Sequence, residues 1–272
     1  MLRLRAYKAG KMGGMMARAV FFDVDGTLFS HETGRVPDSS REAIARLRNK
    51  GILVGVATGR NLWELRYLPM GGIEFDVLLT LNGQLVLDGK GNLIEGNPLS
   101  GDGLANTIRM FEERTHPVLL IEQERMYINY VDEAVVAAQA SILTPIPEIG
   151  TYDGAAVYQA NVYVDEAASG HVRELLAGCD VTRWHEQALD VNAPSEGGKA
   201  AGIARYVKGL GFDMSEVVAF GDAENDLPML RAAGIGVAMG NATPEAKAEA
   251  DLVTDDIDDD GVAKALRKLG LI

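Results

Sequence analysis

Four apolar segments of strand length, each ending in polar or small residues, constrain the fold of this chain most strongly. They are ARAVFFD (17–23), ILVGVATGR (52–60), FDVLLTLNG (75–83) and EVVAFGD (216–222). Continuous apolar runs of this length are typical of strands buried on both faces. Helical segments such as SREAIARLRNKG separate them, and this alternation indicates a parallel sheet with right-handed crossovers. The sequence therefore predicts an α/β fold with a doubly wound parallel sheet.

The alternation of strands and helices is interrupted after residue 83. The segment QLVLDGKGNLIEG (84–96) has the pattern of an antiparallel hairpin around a glycine-containing turn. Mixed helices and strands follow, and the parallel pattern resumes only near residue 189. We therefore expect an α+β cap domain over 84–188, inserted into a core formed by 17–83 and 189–272. The basic residues 1–16 are interpreted as a disordered extension.

The charge and the cysteine content limit the partners and the location of the protein. The 272 residues carry a formal net charge of −13, which disfavours binding to nucleic acid or to an anionic membrane surface. No apolar stretch approaches the roughly 20 residues of a membrane span. The single cysteine, Cys179, cannot form an internal disulfide, as is common in a reducing compartment. We expect a cytoplasmic protein without a nucleic-acid or membrane partner.

Reactive side chains follow three of the four predicted strands. Asp23 and Asp25 end the first strand, Thr58 follows the second, and Asp222 ends the strand at 216–222. Lys199 lies near the start of the preceding helix. Ligands of doubly wound sheets bind beyond the carboxyl ends of the strands, so these groups are expected to lie together. Crowded carboxylates are costly unless a cation joins them, and oxygen ligands of this type suit Mg²⁺.

Four short motifs carry a resemblance to a known family. DVDGTL, VATGR, Lys199 and GDAENDLPML occur in the order and on the strand frame of the haloacid dehalogenase (HAD) superfamily, which this chain resembles from about residue 17 onward. The long insertion after the third strand is similar to the type IIB cap of the Cof-type phosphatases. The resemblance implies a HAD-like Rossmannoid core and a Mg²⁺-dependent phosphatase that forms an aspartyl phosphate and acts on a small phosphorylated molecule, with a sugar phosphate as the default.

The same resemblance implies roles for the acidic residues and the lysine. Asp23 would be the nucleophile and a metal ligand. Asp25 would be the general acid and base, with its backbone carbonyl on the metal. Asp222 would supply another carboxylate to Mg²⁺. Asp226, four residues later and facing the same way on a helix, would hold Lys199 or metal-bound water. Lys199 would neutralise charge on the transferred phosphoryl group.

The remaining candidates would bind phosphate or substrate. Thr58 and the Gly59 amide would donate hydrogen bonds to phosphate oxygens, and Asn225 would reach the phosphate or a metal-bound water. Asn82 is either a turn residue or part of a substrate-facing loop. Asn225 has the alternative role of a helix cap, just as Asp226 has that of a first-turn acid. Arg60 is interpreted as an exposed residue at a helix start.

Two alternative functions use the same residues. A phosphomutase would return the phosphoryl group of Asp23 to the substrate instead of passing it to water. A non-catalytic sensor of a phosphorylated metabolite would bind without reaction, although it has no need of both Asp23 and Asp25. The sequence leaves open the physiological substrate, the cap residues that contact it and the oligomeric state.

Overall fold

A computed structural model describes residues 17–142, 144–195 and 197–272. The described chain forms two compact units. Of the described residues, the first unit comprises those up to Arg60 together with Tyr67–Ile94 and Gly197–Ile272, and the second comprises Asn61–Arg66 and those that lie between Glu95 and Gly197. The proposed disordered extension, 1–16, lies outside the described residues, and the domain boundaries at 84 and 188 stay predictions.

The strands, in chain order, are β1 (Ala19–Phe22), β2 (Leu53–Ala57), β3 (Val77–Thr80), β4 (Leu85–Asp88), β5 (Leu93–Gly96), β6 (Val118–Ile121), β7 (Met126–Ile128), β8 (Gln159–Tyr163), β9 (Asp180–His185), β10 (Ala188–Asn192), β11 (Val217–Gly221), β12 (Ile235–Ala238) and β13 (Leu252–Val253). The helices are α1 (Asp38–Asn49), α2 (Leu62–Tyr67), α3 (Gly101–Glu113), α4 (Glu133–Ser141), α5 (Glu166–Leu175), α6 (Gly198–Gly209), α7 (Leu227–Ala232), α8 (Pro244–Glu249) and α9 (Gly261–Lys268). None of the helices in the described chain has the length and apolar character needed to cross a membrane.

The sheet of the first unit confirms the predicted α/β class. Its strand order is β13-β12-β11-β1-β2-β3-β4-β5. The pairs from β13 to β3 are parallel, and β4 joins β3 in the antiparallel direction. From β1 the chain proceeds through β2 and β3 on one side, whereas β11, β12 and β13 lie on the other. This reversal of strand order beside β1 is the position at which doubly wound sheets bind their ligands.

The central strand β1 is buried along its whole length, as its uninterrupted apolar sequence predicts. Phe21 lies in a core cluster with side chains of β3, β11 and α6, among them Leu79, Ala219 and Ile203. The packing of α6 against this face also fixes Lys199, which is completely buried. The apolar core thus holds a charged side chain at the end of the sheet.

The second unit is a five-stranded sheet of order β7-β6-β8-β10-β9, in which the neighbouring strands are antiparallel. Alternate side chains of β8 and β10, including Ala160, Val162 and Leu189, join a buried core with residues of α3 and α5 such as Phe111 and Val172. Because strand side chains alternate between faces, the intervening residues point to the opposite face of the sheet. This arrangement of helices and antiparallel strands is the α+β organisation predicted from the sequence.

Candidate active site

The candidate site begins at the edge of the parallel sheet where β1 and β11 end side by side. Phe22 is paired with Phe220, and the Asp23 amide continues the ladder by donating to the Phe220 carbonyl at 2.9 Å. Asp23 therefore follows β1 beside the segment in which Asp222 follows β11. Parallel strands have their carboxyl ends at the same edge, and for this reason Asp23 and Asp222, far apart in the sequence, meet here.

Lys199 joins two of the carboxylates. Its Nζ lies 2.5 Å from Asp23 Oδ1 and 2.7 Å from Asp226 Oδ1. The side chains of Lys199 and Asp226 are fully buried, and Asp23 is nearly so. Charged hydrogen bonds of this length are strong in a poorly solvated site. The ion pairs therefore fix the position of the Asp23 carboxylate.

Asp226 contacts Lys199 for a reason other than the helical spacing used in the sequence prediction. Asp222 lies before the 3₁₀ turn Glu224–Asp226, so the two residues do not share a helix face. Instead, Asp226 Oδ2 accepts hydrogen bonds from the backbone amides of Asp222, at 2.9 Å, and Ala223, at 3.1 Å. Asp226 therefore ties the lysine to the loop that carries Asp222.

Asp222 is held by the turn that follows Asp25. Thr27 Oγ1 donates to Asp222 Oδ1 at 2.8 Å, a contact that the sequence analysis missed. Gly26 has a φ of +77°, and a Cβ at this position would lie 2.3 Å from Asp222 Oδ2. Glycine is therefore required both for the turn and for the close approach of the carboxylate.

The electrostatics of this group follow from three carboxylates sharing one ammonium. Burial, reinforced by Asp226, raises the pKa of Asp23 well above its usual value, against the opposing effect of Lys199. Burial also raises the pKa of Asp222 to about 6. Burial lowers the pKa of Lys199, but the attraction of Asp23 and Asp226 outweighs it, so this pKa is raised. The site carries excess negative charge that a bound cation would neutralise.

The donor set fits a hard divalent cation. Oxygen atoms of Asp23, Asp222 and Asp226 lie within 4.8 Å of one another. Both oxygens of Asp226 already accept hydrogen bonds, one from Lys199 and the other from two backbone amides. Asp23 and Asp222 are therefore the side chains best able to hold a metal, and carboxylate oxygens are the ligands that Mg²⁺ prefers.

A second set of predicted residues meets where β2 and β3 end. The Asn82 amide donates to the Thr58 carbonyl at 2.8 Å, and Asn225 Nδ2 donates to Asn82 Oδ1 at 3.2 Å. Thr58 Oγ1 accepts from the Arg60 amide at 3.1 Å, which leaves its hydroxyl proton to donate elsewhere. A Cβ on Gly59 would lie 3.4 Å from the Asn82 side chain. Thr58, Gly59, Asn82 and Asn225 are thus neighbours.

The backbone around Asn82 is strained. Leu81 and Asn82 have φ values of 52° and 54°, in the left-handed region that residues other than glycine seldom occupy. The Leu81 amide donates to the Arg60 carbonyl at 3.0 Å, and this bond links the segment to the loop after β2. Strained backbone of this kind concentrates at functional sites, which favours a functional loop over a plain turn at Asn82.

Asp25 contacts a different set of partners from Asp23. Arg60 donates from Nε to Asp25 Oδ2 at 2.7 Å and from Nη2 to Oδ1 at 2.8 Å, and His31 Nε2 lies 2.9 Å from Oδ1. Asp23 and Asp25 do not share a face of β1, because this strand ends before Asp23.

The description of Arg60 as an exposed helix-start residue was wrong, because its side chain is only 21% exposed and is paired with Asp25. Its position within the VATGR motif was the available signal. His31 had no signal at all in the sequence, since its contact depends on the shape of the turn after β1.

The family of the chain can now be stated. Residues 20–266 match the family of haloacid dehalogenase-like hydrolases, and the chain belongs to that family. It is a HAD phosphatase of the Cof type, a phosphoric monoester hydrolase, as the motifs predicted.

Particular relatives agree with this assignment. The chain is 34% identical to the putative phosphatase YkrA of Bacillus subtilis, over 95% of this chain and 100% of the relative. It is 31% identical to the 5-amino-6-(5-phospho-D-ribitylamino)uracil phosphatase YcsE of the same organism, over 92% and 94% of the two chains. The solved structure of the HAD subclass IIB sugar phosphatase BT4131 superposes with a TM-score of 0.74 at 31% identity, over 94% of this chain and 100% of that one.

The ion pairs of Lys199 lead to a prediction about stability. We expect Lys199→Met to lower the free energy of unfolding by about 3–5 kcal/mol near pH 8, because two buried carboxylates lose their counter-charge. Without the lysine, which lowers the pKa of Asp23, that pKa rises further and the folded protein takes up a proton more readily. The loss should therefore shrink as the pH falls towards about 5.

Urea unfolding at the two pH values measures this difference. Lys264→Met is the matched control, since Lys264 pairs with Asp255 at the exposed surface, where solvent screens the pair, and the substitution should have little effect on stability at either pH. An equal loss for Lys199→Met at both pH values would show that the buried charges are not its cause.

Proposed function

We propose that the protein is a Mg²⁺-dependent phosphatase that hydrolyses a small phosphomonoester through a phosphorylated Asp23. The observation that carries this proposal is the buried contact of Lys199 with Asp23 and Asp226, beside Asp222. Lys199 contacts Oδ1 of Asp23, so the other carboxylate oxygen can act as the nucleophile. The excess of negative charge supports a divalent cation on Asp23 and Asp222, which would neutralise charge and polarise the phosphate oxygens.

The reaction then proceeds in two transfers. Asp23 attacks phosphorus, the bond to the ester oxygen breaks, and Asp25 gives a proton to the departing alcohol. In the second transfer Asp25 takes a proton from water as the water attacks the same phosphorus, and inorganic phosphate leaves Asp23. Lys199, the Thr58 hydroxyl and the Gly59 amide stabilise the charge on the transferred group. Asn225 and Asn82, the neighbours of Thr58 and Gly59, complete the set of residues proposed to bind the phosphate or the substrate.

The contacts of Asp25 add a condition to this scheme. Both carboxylate oxygens accept hydrogen bonds from Arg60, and one also contacts His31. The hydroxyl oxygen of a protonated carboxyl is a weaker acceptor than a carboxylate oxygen, so this paired contact with Arg60 suits the carboxylate form of Asp25. An arriving phosphate dianion is an alternative partner for the guanidinium, and release of one oxygen by Arg60 would favour the acid form that donates a proton.

The substrate is proposed to be a small phosphorylated metabolite in the cytoplasm. Two of the relatives are named a sugar phosphatase and a ribitylaminouracil phosphatase, and both names denote small organic phosphates. The net charge of −13 disfavours phosphorylated nucleic acid as the substrate.

A phosphate-release assay with Asp23→Asn tests the proposal. The wild type, supplied with Mg²⁺ and a panel of sugar phosphates, nucleotides and pyridoxal phosphate, should release phosphate, whereas Asp23→Asn should lose at least about 10³-fold in kcat. Asp38→Asn, an exposed carboxyl in α1, is the control and should retain full activity. Steady release by Asp23→Asn would contradict the mechanism. Exchange between sugar-phosphate isomers without release would indicate a phosphomutase, and binding without either reaction a sensor.

The raised pKa of Asp222 predicts that protons compete with Mg²⁺. Burial raises this pKa to about 6, Thr27 opposes the shift, and a protonated carboxyl does not bind the metal. We expect the apparent Mg²⁺ affinity to rise at least about tenfold per pH unit below pH 6, because Asp222 must lose its proton and the raised pKa of Asp23 adds to the competition. Thr27→Val removes the opposing hydrogen bond and should move the midpoint to a higher pH. Calorimetric titration measures both, and an affinity independent of pH between about 5 and 7 would contradict the assignment.

A further inference from the structure

The loop after β12, residues 239–243, has no role in the reaction described above and is here called the β12 loop. It contacts two segments of the candidate active site. The Thr243 amide donates to the Asp222 carbonyl at 2.9 Å, and Asn241 Nδ2 donates to the Gly26 carbonyl at 2.7 Å. All of these residues belong to the first unit. The β12 loop therefore connects the segment of Asp222 with the turn at Gly26.

Asn241 bridges two backbone groups of opposite polarity. Its Nδ2 donates to the Gly26 carbonyl, and its Oδ1 accepts a hydrogen bond from the Ile257 amide at 3.1 Å. A side chain in this place must therefore donate at one end and accept at the other. The amide of asparagine supplies both groups, whereas a carboxylate lacks the donor and an aliphatic side chain lacks both. These two contacts account for an asparagine at this position.

The 3₁₀ turn Ile257–Asp259, which the β12 loop contacts, is fixed to the rest of the first unit. Its first side chain is buried. Ser30 Oγ donates to Asp258 Oδ2 at 2.8 Å, which links the turn to the segment after β1. Just before the turn, the Asp255 carbonyl accepts a hydrogen bond from the Gly240 amide at 2.9 Å. The turn therefore holds the β12 loop in a defined position.

The Gly26 carbonyl belongs to the peptide bond that joins Gly26 to Thr27. Thr27 Oγ1 donates to Asp222 Oδ1 at 2.8 Å, and a Cβ on Gly26 would lie 2.3 Å from Asp222 Oδ2. The same turn thus lies against both oxygens of the Asp222 carboxylate. A rotation of this peptide group would move Thr27 relative to the carboxylate, and the hydrogen bond from Asn241 opposes that rotation.

The side chain of Asn241 is exposed, unlike that of the completely buried Lys199. A substitution at Asn241 therefore opens no cavity in the apolar core, and water can replace its hydrogen bonds at a small cost in stability. Water does not reproduce the fixed geometry between the Gly26 carbonyl and the Ile257 amide. The contribution of Asn241 is therefore one of orientation.

We propose that Asn241 is a positioning residue of the candidate metal site. It holds the Gly26 carbonyl, so that Thr27 keeps the Asp222 carboxylate oriented towards the cation that Asp222 and Asp23 would share. The inference rests on the proposed Mg²⁺-dependent function and adds to it a residue that acts through the backbone of Gly26. Loss of this contact should weaken Mg²⁺ binding while the fold is retained.

Calorimetric titration of Asn241→Asp with Mg²⁺ at pH 8 tests the proposal. The substitution keeps the acceptor for Ile257 and removes the donor to Gly26, so the dissociation constant should rise about fivefold. The added negative charge by itself would strengthen cation binding and lower that constant, so the two effects have opposite signs. Asn241→Leu, which removes both contacts and adds no charge, should raise the constant at least as much. An unchanged or lower dissociation constant in either variant would overturn the proposal.

Two control variants separate positioning from a general loss of structure. Asn106→Asp removes a similar hydrogen bond in the second unit, from Asn106 Nδ2 to the Leu175 carbonyl at 2.7 Å. Ser30→Ala removes a contact of the same 3₁₀ turn and leaves the Gly26 carbonyl with its donor. Both should keep the Mg²⁺ dissociation constant within about twofold of the wild type. A rise in either control as large as that in Asn241→Asp would overturn the proposal.

A double-mutant cycle with Thr27→Val tests the path from Asn241 to Asp222. In the Thr27→Val background, Asn241→Asp should raise the dissociation constant less than about twofold, because Thr27 no longer holds the carboxylate. Fold-changes that simply multiply in the double variant would overturn the proposal. A wild-type protein that binds no Mg²⁺ and needs none to release phosphate would instead contradict the proposed function, and this inference with it.

Discussion

The contact of the Lys199 ammonium with Asp23 and Asp226 is the interaction on which the rest of this site depends. It requires a lysine that the apolar packing of α6 buries, and two carboxylates that follow different strands, Asp23 after β1 and Asp226 after β11. Asp226 also holds the backbone of Asp222. One ammonium therefore orients the proposed nucleophile and, through Asp226, the second candidate metal ligand. A buried charge network of this kind is costly to build, and its use is to fix geometry more than to add stability.

Much of the fold was accessible from the sequence because its physical causes are local. Uninterrupted apolar runs predict the buried parallel strands. Because parallel strands have their carboxyl ends at the same edge of a sheet, Asp23 and Asp222 are then expected to lie close together. The contact of His31 with Asp25 could not be predicted, because it depends on the turn around Gly26, whereas the position of Arg60 within the VATGR motif was a signal that the sequence analysis did not use. The left-handed backbone at Leu81 is likewise set by tertiary hydrogen bonds. Residue 81 is a leucine and not a glycine or an asparagine, so the sequence gives no sign of a left-handed backbone there.

The two faces of the sheet in the second unit differ in chemistry. The face of β8 and β10 that carries Ala160, Val162 and Leu189 supplies the apolar core and stabilises the unit. The opposite face carries amides and an acid, and Asn192 Oδ1 on that face accepts no hydrogen bond from the described residues. The two sets of side chains alternate along the same strands.

The rest of the proposed reaction depends on phosphorylation of Asp23, and this step can be tested by trapping the phosphorylated enzyme. The Asp25→Asn variant lacks the base for the second transfer, whereas the first transfer from 4-nitrophenyl phosphate needs no acid because 4-nitrophenolate is a good leaving group. Phosphoenzyme should therefore accumulate when the variant is mixed with ³²P-labelled 4-nitrophenyl phosphate and Mg²⁺ and quenched in acid. We expect the label to be acid-stable, to be released by hydroxylamine as for an acyl phosphate, and to map to the peptide that contains Asp23. Label on another residue, or phosphate release by the active wild-type enzyme without any trapped label in either protein, would show that Asp23 is not the nucleophile.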